Sequence, residues 1–327
     1  MKVNGPYYNV VQNQLSALAL RAYADMEEDA GDKAAAQEAW TNADQLSSNI
    51  LKYLVGKDGA WIWCIDPKTM KSDDAILNSV TNQGFGGING VLSMYADVSG
   101  LEPARTDKEL YAVSLQTFQK LYNTPARKRQ FDTYGIWTQF DRVMGGAGAS
   151  PSYGMGYATQ DMLLFDNLTM ASKALEFLAQ DTFHPVDGYA LHRQSPYYFY
   201  ERMYSPEAIG KVEMAEGCGA LNLVNVAEPL KLARVMIGID DSDPATLRLI
   251  PRVPSEWNGF EAKDWPVLTR HGTVTINLSY KREADGVHFH FESAETIKSV
   301  VVRLPAGNGW KYYNKADTDH FDLTQPN

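Results

Sequence analysis

The sequence predicts an α+β chain in two parts, paired α-helices over 1–239 followed by a small antiparallel β-sandwich over 240–327. Three observations carry this. Apolar residues recur at helical spacing through most of the first part, and short connections force successive helices to run antiparallel. Beyond the breaker-rich Asp240-Asp241-Ser242-Asp243-Pro244 the period switches to strict alternation. At 327 residues the chain also exceeds the size at which one core usually keeps growing, so two domains are expected.

The elements follow in order. Over 8–30, Val11, Leu15, Leu18, Ala22 and Met26 fall at helical intervals and Gly31 supplies a C-terminal stop. Over 32–54 the pattern repeats through Ala36, Trp40, Ala43, Leu46, Ile50 and Tyr53, with Gly56 closing it, which makes an αα-hairpin. Gly59 to Asp66, with Trp61 and Trp63, is rich in strand formers and reads as a short strand or extended loop. A second helical pair spans 84–99 and 106–122. The stretch 123–151 reads as irregular, with Arg127-Lys128-Arg129 in a solvated loop beside Pro125. A fifth helix is expected over 155–180, a non-helical stretch over 181–216, and a sixth helix over 220–237 that Pro229 should kink. In the last part, Val274, Ile276, Leu278 and Tyr280 alternate with Thr275, Asn277 and Ser279. Val287 to Phe291 does the same around His288 and His290, with Glu283-Ala284-Asp285-Gly286 as the hairpin turn between them. Val300 to Leu304 adds a further strand.

Composition narrows the partners. A formal charge of -10 argues against nucleic acid, whose phosphates require a basic footprint. No run of about 18 apolar residues is present, and Met1 to Pro6 carries no apolar signal core, so the reading is a chain off the membrane, cytoplasmic if its N-terminus is native. Cys64 and Cys218 lack metal or redox spacing and are expected as buried thiols. No phosphate loop, dinucleotide fingerprint or serine elbow occurs, so no cofactor is expected. His288 and His290 stand two apart on one strand face without an evident third ligand, and the expectation is exposed polar positions and no metal.

Four segments carry a resemblance: Asn82-Gln83-Gly84-Phe85-Gly86 and Tyr153-Gly154-Met155-Gly156-Tyr157, each leading into a helix; Ala220 to Glu228 in the last helix; and Leu247 to Pro254 opening the strands. With helix pairs, aromatic loops and a terminal sandwich, the chain resembles the six-hairpin glycosidase superfamily, of which bacterial α-L-rhamnosidases are one branch. The resemblance implies an (α/α)6 toroid. A full toroid has twelve helices and about six are read here, so it implies half a barrel, and self-association, as a dimer, to cover the open inner faces.

Glycoside hydrolysis needs two carboxyl groups, and in toroid glycosidases they gather on loops at one end of the barrel. The richest loop, 189–219, holds Glu201, Glu213 and Glu216 among Tyr197, Tyr198, Tyr200, Tyr204, His192 and Arg193; tyrosine faces stack on sugar rings while Arg and His donate to hydroxyls. Glu216 lies where related enzymes place the general base, and could equally be an acid favouring a helix N-terminus, worth under about 1 kcal/mol. Glu201 and Glu213 are alternative acids or ordinary ion-pair partners. A second loop offers Asp141 beside Trp137, together with Asp132, which could be a turn residue. Tyr153, Trp61 and Trp63 are further substrate-binding candidates, although the two tryptophans could simply pack under a loop. The leading expectation is a glycoside hydrolase, inverting by the superfamily's tendency. The alternatives are a non-catalytic carbohydrate-binding or assembly subunit and, more weakly, a polysaccharide lyase using His192, Arg193 and Tyr198.

Overall fold

The structure, a computed structural model, describes residues 8–72, 85–123, 125–134, 149–183, 202–204 and 223–327. Helix α1 (Val10–Ala30) begins where the Asn9 side chain accepts from the Gln12 N–H at 2.7 Å. It ends at Gly31, whose φ of 90° is the left-handed cap that glycine adopts without strain. Asp32 then caps α2 (Lys33–Tyr53), accepting from the Ala35 N–H at 3.0 Å. The hairpin forms as its spacing predicts. Strand β1 (Tyr8–Asn9) pairs with β2 (Cys64–Ile65), closing the hairpin's open end.

The second helical group is α3 (Phe85–Ser99), the single-turn α4 (Pro103–Thr106) and α5 (Lys108–Tyr122). Two expectations are corrected next. Pro125–Tyr134 is a helix, α6, and not part of an irregular stretch: Pro125 occupies the first turn, where its missing N–H costs nothing, and Ala126 to Gln130 are strong helix formers. Its polarity hides any apolar period, yet it buries Phe131, and the Arg127 to Arg129 triplet is helical. The long helix expected over 155–180 is two, α7 (Ser152–Leu164) and α8 (Leu168–Phe183). Asp166 takes a φ of 56°, Asp166 and Asn167 donate their N–H groups to Leu163 and Met162, and the Asn167 side chain accepts from Met170 N–H. Asp and Asn tolerate that left-handed turn and cap the next helix, which is why the chain breaks there. Helix α9 (Leu223–Ile237) contains Pro229.

The C-terminal part is sheet-rich, as the alternation predicts. Strands β5 (Ile239–Asp240), β6 (Leu247–Leu249), β7 (Gly259–Thr269), β8 (Gly272–Glu283), β9 (Gly286–Ala306) and β10 (Gly309–Pro326) form one hydrogen-bonded sheet, ordered β5-β6-β9-β8-β7 with β10 along β9. The pairing is not wholly antiparallel: β6 lies parallel to β9, matching Leu247 with Val300 and Leu249 with Val302. The 21-residue β9 makes this possible, since its first half pairs with β8 and its second with β6. Its buried residues change parity on the way, Val287, Phe289 and Phe291 giving over to Val300, Val302 and Leu304. All enter one cluster with Leu249, Ile276, Leu278 and Tyr280, each large apolar side chain worth about 1.5–3 kcal/mol of transfer free energy.

A second cluster fills the helical part around Leu18, Ile50, Leu92, Tyr95, Phe118, Met162 and Leu163. The two interlock where α9 meets the sheet, because Ile237 of α9 sits in the sheet's cluster and Ile250 in the helical one. Gly238 between them has a φ of 81°, and a Cβ there would lie 2.0 Å from the Ile250 carbonyl, so no other residue fits. Among the described residues no helix is long and apolar enough to cross a membrane. Cys64 is buried and free, with its thiol pushed up by burial; Cys218 lies outside the described residues.

Candidate functional site

Of the residues predicted from sequence, Glu201, Glu213, Glu216, Asp141, Trp137, His192, Arg193 and Tyr198 lie outside the described residues. Tyr153 is the second residue of α7, its side chain likewise outside them. Trp61 is 6% exposed: its N–H donates to Thr117 Oγ1 at 2.7 Å and its indole Nε1–H to Ser114 Oγ at 3.1 Å, so α5 holds the ring in the helical core. Trp63 is half-buried against the same core, and its carbonyl accepts from Val10 N–H at 2.9 Å. Asp132, at the exposed end of α6, pairs with Lys173 at 3.8 Å.

One described backbone feature adjoins the segments that carry the candidates. Strand β3 (Ala149–Pro151) pairs antiparallel with β4 (Arg202–Tyr204), matching Ala149 with Tyr204, Ser150 with Met203 and Pro151 with Arg202. Residues 135–148, with Trp137 and Asp141, run directly into β3; residues 184–201, ending on Glu201, run into β4; and 205–222, with Glu213 and Glu216, leave it. Along the chain, Asp141, Glu201, Glu213 and Glu216 therefore fall in segments next to this ladder, and the segments themselves lie outside the described residues.

Helix α7 starts at the same ladder and packs between α3, α8 and α9. Its buried residues include three polar ones beside Met162, Leu163 and Leu164. Ser93 Oγ donates to Gln160 Oε1 at 2.7 Å, and Thr159, Gln160 and Asp161 are all at most 4% exposed. Asp161 keeps one carboxyl oxygen, Oδ1, buried without a partner. Burial pushes this carboxyl well above the usual carboxylate range, against a contact with the Ser93 backbone that favours the charged form. No periodicity argument singles it out, because an Asp at a core position reads as a break in the pattern.

A second polar centre lies between helices and sheet. Asp166, in the α7–α8 turn, accepts from both Arg303 Nη atoms at 3.0 and 2.7 Å and from Arg252 Nε at 3.1 Å. Arg252 is 1% exposed and donates also to the Leu101 carbonyl; burial pushes it down to about 10, with the Asp166 carboxylate pulling the other way. Glu102 accepts from Tyr312 at 2.9 Å and from Arg248 at 3.3 Å, and the Leu101 N–H donates to Asp240 at 2.8 Å. These groups bond one another and form a structural joint.

The histidines, expected as exposed positions, are half-buried. His290 bonds Asp322 at 2.9 Å across the strands, whereas His288 meets Asp285 at 2.8 Å and Glu283 at 3.8 Å on the β8–β9 turn, two acid neighbours that sequence spacing did not reveal.

No protein family matches the chain, and no curated protein does. Among solved structures, it is similar to the native α-L-rhamnosidase from Aspergillus terreus, with a TM-score of 0.48 and 11% identity. The match covers 94% of this chain and 29% of that enzyme, so the chain spans under a third of the enzyme's length.

Proposed function

We propose that the chain is part of a carbohydrate-active enzyme, a glycoside hydrolase acting on oligosaccharides or polysaccharides. The reading is supported by the aromatic, carboxylate-bearing composition of residues 135–148, 184–201 and 205–222, which adjoin the paired strands β3 and β4 along the chain. In this reading Glu216 is the general base and Glu201, Glu213 or Asp141 the acid, with Trp137, Tyr153 and Tyr198 as ring platforms and His192 and Arg193 as donors to sugar hydroxyls. Trp63 belongs at most to the margin of such a cleft, and Trp61 to its support.

The chemistry follows from the pair. The base carboxylate removes a proton from water as its oxygen attacks the anomeric carbon; the acid delivers its proton to the glycosidic oxygen as the carbon–oxygen bond breaks. Inversion results when the carboxyl groups stand roughly 6.5–9.5 Å apart, leaving room for that water. The acid must hold its proton near neutral pH, which a dry, aromatic setting promotes by raising its pKa. The helices are read as half of an (α/α)6 toroid, and a homodimer is proposed as the cover for its open side.

A panel of aryl glycosides and uronate polymers tests the reading. New reducing ends without an unsaturated product are expected. An unsaturated product would replace hydrolysis by elimination, and saccharide binding with no turnover would leave a binding subunit in its place.

A further inference from the structure

A cleft of about 990 Å³ opens along the seam between the α1–α2 hairpin, the end of α3 and the turns of the sheet. Its volume lies at the upper end of the usual range for ligand clefts, which favour such junctions. None of its lining residues belongs to the segments that carry the proposed catalytic carboxylates.

Trp40 is the feature that asks for a ligand. It is half-buried on α2 and lines the cleft, yet it stands outside the helical hydrophobic cluster that takes in Trp61 and Trp63. An indole face kept off the core and turned to a cleft is a stacking surface for an apolar ring face. Beside it, α1 presents Asp25, Glu28 and Asp29 at i, i+3 and i+4, one face of the helix, and Arg270 stands on the opposite wall. The arrangement offers acceptors, a donor and a platform together. Burial and the neighbouring Glu28 and Asp29 push the Asp25 carboxyl up.

The sheet wall is preformed. Asp240 accepts from Ser242 Oγ at 2.7 Å, Asp241 from Leu268 N–H at 2.9 Å, and the Pro244 carbonyl from Arg270 N–H at 3.1 Å. A ligand entering here orders little backbone, which lowers the cost of binding.

We infer that this seam cleft is a second saccharide-binding site, taking a neutral oligosaccharide whose ring stacks on Trp40 while its hydroxyls donate to the α1 carboxylates and accept from Arg270. The inference rests on the carbohydrate reading above and adds a place where the substrate is held away from the reacting bond. Neutral sugars are selected because Asp25, Glu28, Asp29 and Asp243 outnumber Arg21 and Arg270 along the lining, so a uronate meets repulsion.

The test follows the Trp40 indole N–H by NMR, identified by its loss in Trp40→Phe, during titration with neutral oligosaccharides, oligouronates and oligolysine. Neutral oligosaccharides shift the resonance in the wild type and equally in Glu216→Gln, oligouronates do not, and Trp40→Ala weakens binding at this cleft about tenfold. A resonance that no saccharide moves, or that only oligolysine moves, overturns the inference. Turnover without a Trp40 shift sinks this site alone; a Trp40 shift without turnover sinks the hydrolase reading and leaves the site.

Discussion

The sheet and the helical part solve the burial problem differently. In the sheet, strand by strand, apolar side chains alternate with polar ones, and the polar side chains it does bury, Asp240, Arg303 and Gln325, each make hydrogen bonds. The helical part also keeps Ser93, Thr159, Gln160 and Asp161 inside, and there one Asp161 carboxyl oxygen is left without a hydrogen-bond partner. A buried polar group costs stability unless its bonds are made, so such groups concentrate where a fold does more than pack. The Asp166–Arg252–Arg303 joint fastens the two parts to one another.

Breaking the joint has the largest expected effect on stability. Arg252→Ala removes a buried cation, leaves a cavity and strips one partner from Asp166; the expected loss is about 3–5 kcal/mol in urea unfolding. A midpoint equal to the wild type's would mean that the two parts are not coupled through this network. Core truncations come next. Phe291→Ala in the sheet should cost about 3–5 kcal/mol and Leu92→Ala in the helical core about 2–5 kcal/mol, both being fully buried. If the joint couples the parts, each lowers a single shared transition; two separate transitions would show that they melt alone.

How much of this was legible in the sequence follows the same division. Strict alternation through Val274, Ile276, Leu278 and Tyr280 places β8's inward face correctly, and the spacing of Leu18 and Ile50, with Gly31 between them, predicts the first hairpin. What escaped has a physical reason in each case. Helix α6 is polar and short, so its backbone preference outweighs a pattern that is absent. The break at Asp166 depends on one left-handed residue. The parallel pairing of β6 with β9 depends on the length of a strand whose buried face changes parity midway. The candidate carboxylates were legible only as residue types in aromatic segments, and the seam cleft was not legible at all, because Trp40 fits the helical period as well as any core residue.

The smallest expected effect on stability concerns Asp161 and its pH dependence. Its folded carboxyl titrates above the unfolded one, so the folded state binds more protons between the two values; stability from this group is greatest at low pH and declines as pH rises above the ordinary carboxylate range. Asp161→Asn should flatten that decline, raising the melting temperature more at pH 8 than at pH 5. Equal changes at both would place the charge elsewhere.

The proposed general-base role of Glu216 is tested most directly by the turnover of an aryl glycoside by Glu216→Gln set beside the wild type, with melting temperatures recorded for both. The account predicts a fall in kcat of about 100-fold or more with melting unchanged, as expected for loss of a general base. Full activity in Glu216→Gln would contradict it.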